Sequence, residues 1–262
     1  MWFIPRLIAN VLAYQKAFGP DRSTLVAGDV LAAYARFNSR RGGVPAGVQD
    51  GLAAIRQLAG SEAVTNHGGV LQVSAEELRR AACRDLQPFF GSRHSVRQFA
   101  DAEVPREAIE AAVSMAMHTP SVCNRQSWRV HAYTEPELKA ALLKLQNGNR
   151  GFGDQAAHVL VVTTDLETFT SVGERNQCWI DGGMFSMSLI WALHSLGLGT
   201  CCLNWSVEKE TDAALREVAA IPESQAIMMM LAVGALPQTL TVARSLRRQP
   251  DDVLVFHTGT GP

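Results

Sequence analysis

The sequence has little that would commit it to metal, disulfide or membrane chemistry. Its five cysteines, Cys83, Cys123, Cys178, Cys201 and Cys202, include no C-x-x-C and no regular spacing. That argues against a disulfide framework or zinc site and suits a reducing, cytoplasmic setting. The seven histidines (His67, His94, His118, His131, His158, His194 and His257) supply no H-E-x-x-H, so a metal centre has no ligand set to stand on. Long apolar runs are missing too. "MFSMSLIWALHSLGLG" is short for a bilayer span of roughly 20 residues and carries His194 and serines. The opening "MWFIPRLIANVLAYQKAF", interrupted by Pro5, Arg6 and Asn10, reads as an amphipathic helix rather than a signal peptide. Net charge is −1 with 19% charged residues, so nothing pulls the whole chain toward nucleic acid or acidic membranes. There is no Walker loop and no G-x-S-x-G elbow, and "GNRGFG" has the wrong glycine order for a dinucleotide fingerprint.

What is present is a chain of 262 residues, 47% hydrophobic, with room for a substantial core. The leading part, residues 1–87, reads as helical. "VAGDVLAAYARFN" and "VQDGLAAIRQLAG" have helical spacing around the loop "SRRGGVPAG", and Ser74 to Glu77 forms a capping-box pattern. From residue 88 to 262 helices alternate with short β-rich runs, with a soft boundary near "QPFFGS". Pro105 suits the first turn of a helix through Met117, and "WRVHAY", "HVLVVTT", "TCCLNW" and "QAIMMMLAVGAL" read as strands. Thr134 with Glu137, and Ser206, are the expected caps of two further helices. The helix around Ile180 to Leu196 is apolar on all sides, which calls for burial, in a core or a subunit interface.

Chemistry-bearing residues gather in three places. In "SRHSVRQF", Arg93, Ser95 and Arg97 are spaced by two, so an extended backbone points all three to one side, where one oxyanion can meet them. The alternative is a solvated basic turn. In "TPSVCNRQSW", Asn124 and Gln126 both donate and accept, as a polyhydroxylated chain or heterocycle edge requires, or they simply shape a loop. Trp128 is expected in the core, and Cys123 is expected to be inert and packed. Near the C-terminus, Arg244, Arg247 and Arg248 form either a solvated face or a second contribution to the anion site.

Taken in order, "SRHSVRQF", "PSVCNRQSW", "ALHSLGLGTCCLNW" and "RRQPDDVL" resemble the FMN-dependent nitroreductase family over roughly residues 85–258. The resemblance implies an α+β fold: a central, mainly antiparallel sheet flanked by helices. Residues 88–262 would be the FMN-binding domain, and residues 1–87 an added helical segment of unassigned role. It implies a homodimer with the flavin site at the subunit interface, and a flavin N5 that carries hydride with no obligatory side-chain acid. Arg93 and Arg247, or Arg248 in its stead, would hold the phosphate. Ser95 would add a donor, His94 backbone contacts, and Arg97 would reach toward the ribityl or pyrimidine side. Ser121, Asn124, Gln126 and Asn149 would touch the flavin, and Leu203, Asn204 and Trp205 would border the ring. Departures from the family pattern are Ser127 in place of a proline, Val122 in place of a small polar residue, and Ser245 in place of a lysine.

The implied activity is reduction of a nitroaromatic, quinone or enone by NADH or NADPH in ping-pong fashion. Two alternatives stand beside it: a dehydrogenase acting on a dedicated biosynthetic intermediate, and a non-catalytic flavin-fold subunit whose helical leader docks a partner.

Overall fold

The computed structural model describes residues 3–60, 68–70, 85–257 and 259. The chain divides into two compact units, Met1–Arg84 and Asp85–Pro262. The capping pattern expected at Ser74 to Glu77 lies outside the described residues.

The first unit contains α1 (Phe3–Phe18), α2 (Arg22–Ser39) and α3 (Val48–Ala59). α1 accommodates Pro5 in its first turn, where the missing N–H would have had no intrahelical partner. α2 starts at Asp21, whose carboxylate accepts the Thr24 N–H at 2.9 Å while the Thr24 hydroxyl oxygen accepts the Asp21 N–H at 3.0 Å. The apolar faces meet around Leu31, Val48, Leu52 and Ile55. α1 and α3 approach so closely that a Cβ at Gly51 would fall 2.5 Å from the Ile8 side chain.

The second unit contains α4 (Leu86–Ser92), α5 (Arg106–Ala116), β1 (Trp128–Tyr133), α6 (Pro136–Lys144), β2 (His158–Asp165), α7 (Gln177–Ser195), β3 (Leu198–Asn204), α8 (Lys209–Ala219) and β4 (Gln225–Ala235). The strands form one sheet in the order β1-β2-β4-β3, every neighbouring pair antiparallel. This is the α+β architecture expected. β2 and β4 are covered on both faces, which explains their almost continuous apolar sequences. Val159, Val161, Met230 and Ala232 pack with Leu142 of α6 and Leu215 of α8. Leu160, Val162, Leu231 and Val233 pack with Ile109 of α5 and Phe185, Leu189 and Leu193 of α7. The small residues at the start of α7 serve this packing: a Cβ at Gly182 would lie 2.5 Å from the Met228 sulfur on β4.

Two expected caps are not used. α6 begins after Glu135 with Pro136 in its first turn, and α8 begins after Glu208, neither with a side-chain cap. Thr134 and Ser206 fall one and two residues too early, because strand geometry persists through Tyr133 and an extended stretch follows Asn204.

β3 is one of the two edge strands, and the "SRHSVRQF" segment runs beside its start. Ser95 forms a parallel bridge with Thr200, with the Val96 N–H donating to the Thr200 carbonyl at 2.8 Å. Further on, the Ala100 N–H donates to the Ala235 carbonyl at 3.0 Å. Val96 and Phe99 are buried against Gly199 and Gly234, where a side chain would collide with them. With Val96 inward, Arg93, Ser95 and Arg97 are left on the accessible side.

Candidate functional site

The arginines named from the sequence meet in one cavity of about 330 Å³, lined by Arg93, His94, Ser95 and Arg97 from one end of the unit and Arg244, Ser245 and Arg247 from the other. A residue that sequence reasoning missed holds the two ends together: Gln98 Oε1 accepts the Thr241 N–H at 2.7 Å. That contact fixes the tail just upstream of its arginines. Arg248 does not line the cavity; Arg244 does.

The cavity gathers positive charge with no counter-charge beside it. Among the described residues no carboxylate pairs with Arg93, Arg97, Arg244 or Arg247, and none lines the cavity. Four like charges converging without a counter-ion repel one another, and a multiply charged oxyanion relieves that repulsion. Two of the guanidiniums lie over aromatic rings. Arg93 lies 5.8 Å from the Trp191 ring centroid and Arg97 lies 6.0 Å from that of Phe152.

The amide loop is a separate feature, and its backbone is strained. Cys123, Asn124 and Gln126 have φ of 49°, 54° and 50°, left-handed values that are costly for residues other than glycine, least so for asparagine. The loop is held by several contacts. The Gln126 N–H donates to Ser121 Oγ at 3.0 Å, Arg125 pairs with Glu174 at 2.7 Å, and the Val122 N–H donates to Asp181 Oδ2 at 3.2 Å. Asp181 is completely buried on α7 and also accepts from Gln177 at 2.8 Å. It is the second residue the sequence reading missed; "DGGMF" signals its small residues more strongly than its acid. Hydrogen bonds from the Thr170 N–H, with the Arg125 guanidinium beside it, hold the Glu174 carboxyl below the usual range. Cys123 is exposed at the strained turn rather than packed: a left-handed residue at a loop tip turns its side chain away from the core. The exposed Asn124 and half-buried Ser121 and Gln126 do not line the arginine cavity.

Asn149 is used locally. Its amide donates to the carbonyls of Leu143 at 2.7 Å and Gln146 at 2.6 Å. The buried Gln146 in turn donates to the Asn204 carbonyl at 3.2 Å, tying this loop to the end of β3. A second cavity of about 670 Å³ lies here, lined by Lys139, Lys144, Asn149, Arg150 and Asp154 among others. Of the β3-end residues, Leu203 is buried in the core, and Trp205 packs against it while donating to Asp212 at 2.8 Å. Asn204 alone presents an exposed side chain. Trp128 is in the core as expected, stacked on Phe185 with ring centroids 4.8 Å apart.

The second unit thus presents an antiparallel sheet covered on both faces, with a cluster of arginines beside β3 that no carboxylate pairs among the described residues. The comparisons identify it further. The model of the nitroreductase family matches residues 91–235, and the chain belongs to that family of oxidoreductases. It is 28% identical over 96 residues to the CLA biosynthesis enone reductase of Lactiplantibacillus plantarum, covering 36% of this chain and 44% of that protein. It is 24% identical over 174 residues to an NADH dehydrogenase of Thermus thermophilus, covering 54% of this chain and 82% of the relative. The fold matches a nitroreductase family protein from Streptococcus pneumoniae with a TM-score of 0.57 at 20% identity, over 66% of this chain and 100% of that one. An FMN-dependent nitroreductase from Clostridium difficile matches with a TM-score of 0.55 at 18% identity, over 64% and 96% of the two chains.

Proposed function

We propose that the chain is an FMN-dependent oxidoreductase that takes electrons from NADH or NADPH and reduces a nitroaromatic, quinone or enone. The observation that carries this reading is the uncompensated convergence of Arg93, Arg97, Arg244 and Arg247 on one cavity. A phosphate monoester fits that donor set. Guanidiniums give paired, charge-assisted bonds to its oxygens and Ser95 adds a hydroxyl donor. Bound FMN supplies reversible two-electron chemistry at N5, which protein side chains lack. The chain's own contribution is to anchor the phosphate, to offer polar edges from Asn204 and from the strained loop at Ser121, Asn124 and Gln126, and to leave the redox step without a side-chain acid. Residues 88–262 act as the FMN-binding domain, with residues 1–87 as an additional helical unit. The related enone reductase and NADH dehydrogenase by name favour the substrate and donor classes proposed.

The test is anaerobic mixing of the purified yellow protein with each nicotinamide. Loss of colour with NADH or NADPH, and its return when a quinone or enone is added, is the expected result. Yellow protein that neither nucleotide bleaches refutes the reductase reading and leaves a dehydrogenase of another donor. Colourless protein that takes up no FMN refutes the cofactor assignment.

The chain is proposed to work as a homodimer. α7 buries Phe185, Leu189 and Leu193 against the sheet, yet Trp179, Ile180 and Met184 stand 54%, 52% and 40% exposed on its other side. Such an apolar stripe on a long helix is unusual for a surface facing water. The amide loop, which does not line the arginine cavity of its own chain, is then available to a neighbour's flavin. Sedimentation should give twice the chain mass, and Ile180→Glu with Met184→Lys should convert the protein to monomer with loss of bound flavin. Wild-type monomer carrying FMN would defeat the proposal.

A further inference from the structure

The arginine cavity, whose wall includes Phe90, has a supporting layer behind it. Arg93 follows α4 directly and is its C-terminal flanking residue. The last carbonyls of a helix lack intrahelical partners, and here the Phe89 carbonyl accepts from the Ser92 hydroxyl at 2.9 Å. The same Ser92 oxygen lies 2.9 Å from His194 Nε2 on α7. A hydroxyl has one proton and a carbonyl can only accept, so the Ser92 proton goes to Phe89 and the second bond requires an Nε2–H on His194. His194 therefore fixes the hydroxyl that closes the end of α4. Around this pair, Phe89, Phe90 and Trp191 pack tightly, with ring centroids of Phe90 and Trp191 4.2 Å apart and those of Phe89 and His194 4.9 Å apart. Trp191 is the ring over which Arg93 lies.

We propose that His194 is a positioning residue for the phosphate cavity: acting through Ser92, with Trp191 beside it, it sets the direction in which Arg93 leaves α4 and so the fit of Arg93 to a phosphate oxygen. The inference rests on the FMN reading of that cavity. Burial pushes the His194 imidazole below its ordinary range, helped by the Arg93 and His94 charges nearby. A neutral ring suits the role, since it adds no cation behind the arginine.

The experiment compares FMN with riboflavin, which lacks the phosphate, by equilibrium binding to the full-length apoprotein. His194→Leu and Ser92→Ala should each weaken FMN about five- to tenfold, the scale of one hydrogen bond, and leave riboflavin unchanged. The double variant should be no worse than either single one, because both break the same link. His194→Gln, which restores an N–H donor, should recover most of the loss. Equal weakening of both flavins, additive single effects, or no effect at all would overturn the positioning role while the cavity reading stands. If wild-type protein binds FMN no tighter than riboflavin, the cavity reading fails, and His194 then has no phosphate contact to position.

Discussion

Replacing Arg93 by alanine is expected to weaken FMN binding about 100-fold while changing riboflavin binding little. A charge-assisted hydrogen bond contributes about 1.5–3 kcal/mol, and a guanidinium that meets two phosphate oxygens gives the upper end of that range. Arg93→Lys should fall between, keeping the charge but losing the planar fork. Arg247→Ala should act in the same direction from the other end of the unit. The double variant should lose less than the product of the two, because both groups meet one ligand. The free protein should respond in the opposite sense. Arg93 and Arg247 line the cavity with Arg97 and Arg244, and none has a carboxylate partner among the described residues. Removing one then relieves repulsion, and the apoprotein should be no less stable to heat. Fluorescence titration for the ligand and a thermal melt of the apoprotein read the two halves. Unchanged FMN affinity in Arg93→Ala would remove the basis of the functional assignment.

Phe185→Ala is expected to cost about 3–5 kcal/mol of stability, the range for truncating a buried aromatic residue. Phe185 is fully buried at 0% exposure and lies nearly parallel to Trp128, with an interplanar angle of 12°. It sits on α7 one turn beyond Asp181, the acid that holds the Val122 N–H. Trp128 is likewise the first residue of β1 after the strained loop. The Phe185–Trp128 stack thus ties both ends of that loop to the sheet. Chemical denaturation should show a lower midpoint with an unchanged slope, and Phe185→Leu should lose much less by refilling part of the space. A loss under 1 kcal/mol in Phe185→Ala would mean that the stack does not anchor the face of the sheet that α7 covers.

The strands were legible because their burial is extreme. β2 is buried through seven of its eight residues, so its centre carries the unbroken apolar run Val159, Leu160, Val161 and Val162 and no helix-like polar face. The arginine motif was legible for a related reason: spacing by two has one meaning on an extended chain, and the Ser95 to Thr200 bridge supplies that extension. Helix starts were less legible. Thr134 and Ser206 are good capping residues, but the strands before them dictate where the chain can turn. Residues that act by contact across the fold gave no signal. Gln98, Gln146, Asp181 and His194 are single polar residues with partners between 58 and 143 positions away, and no local pattern distinguishes them from solvated side chains.

The sequence by itself determined the alternation of helices with strands, the extended arginine segment and, through its four motifs, the kinship to nitroreductases with the α+β fold it implies, because periodicity and motif spacing are local properties of the chain. Only the tertiary structure decided which C-terminal arginines join Arg93, that Asn149 serves its own loop, and that the amide loop stands apart from the arginine cavity in one chain. Those outcomes depend on which carbonyls and N–H groups remain unpaired after the sheet has formed, and that is settled by the whole fold rather than by any stretch of it.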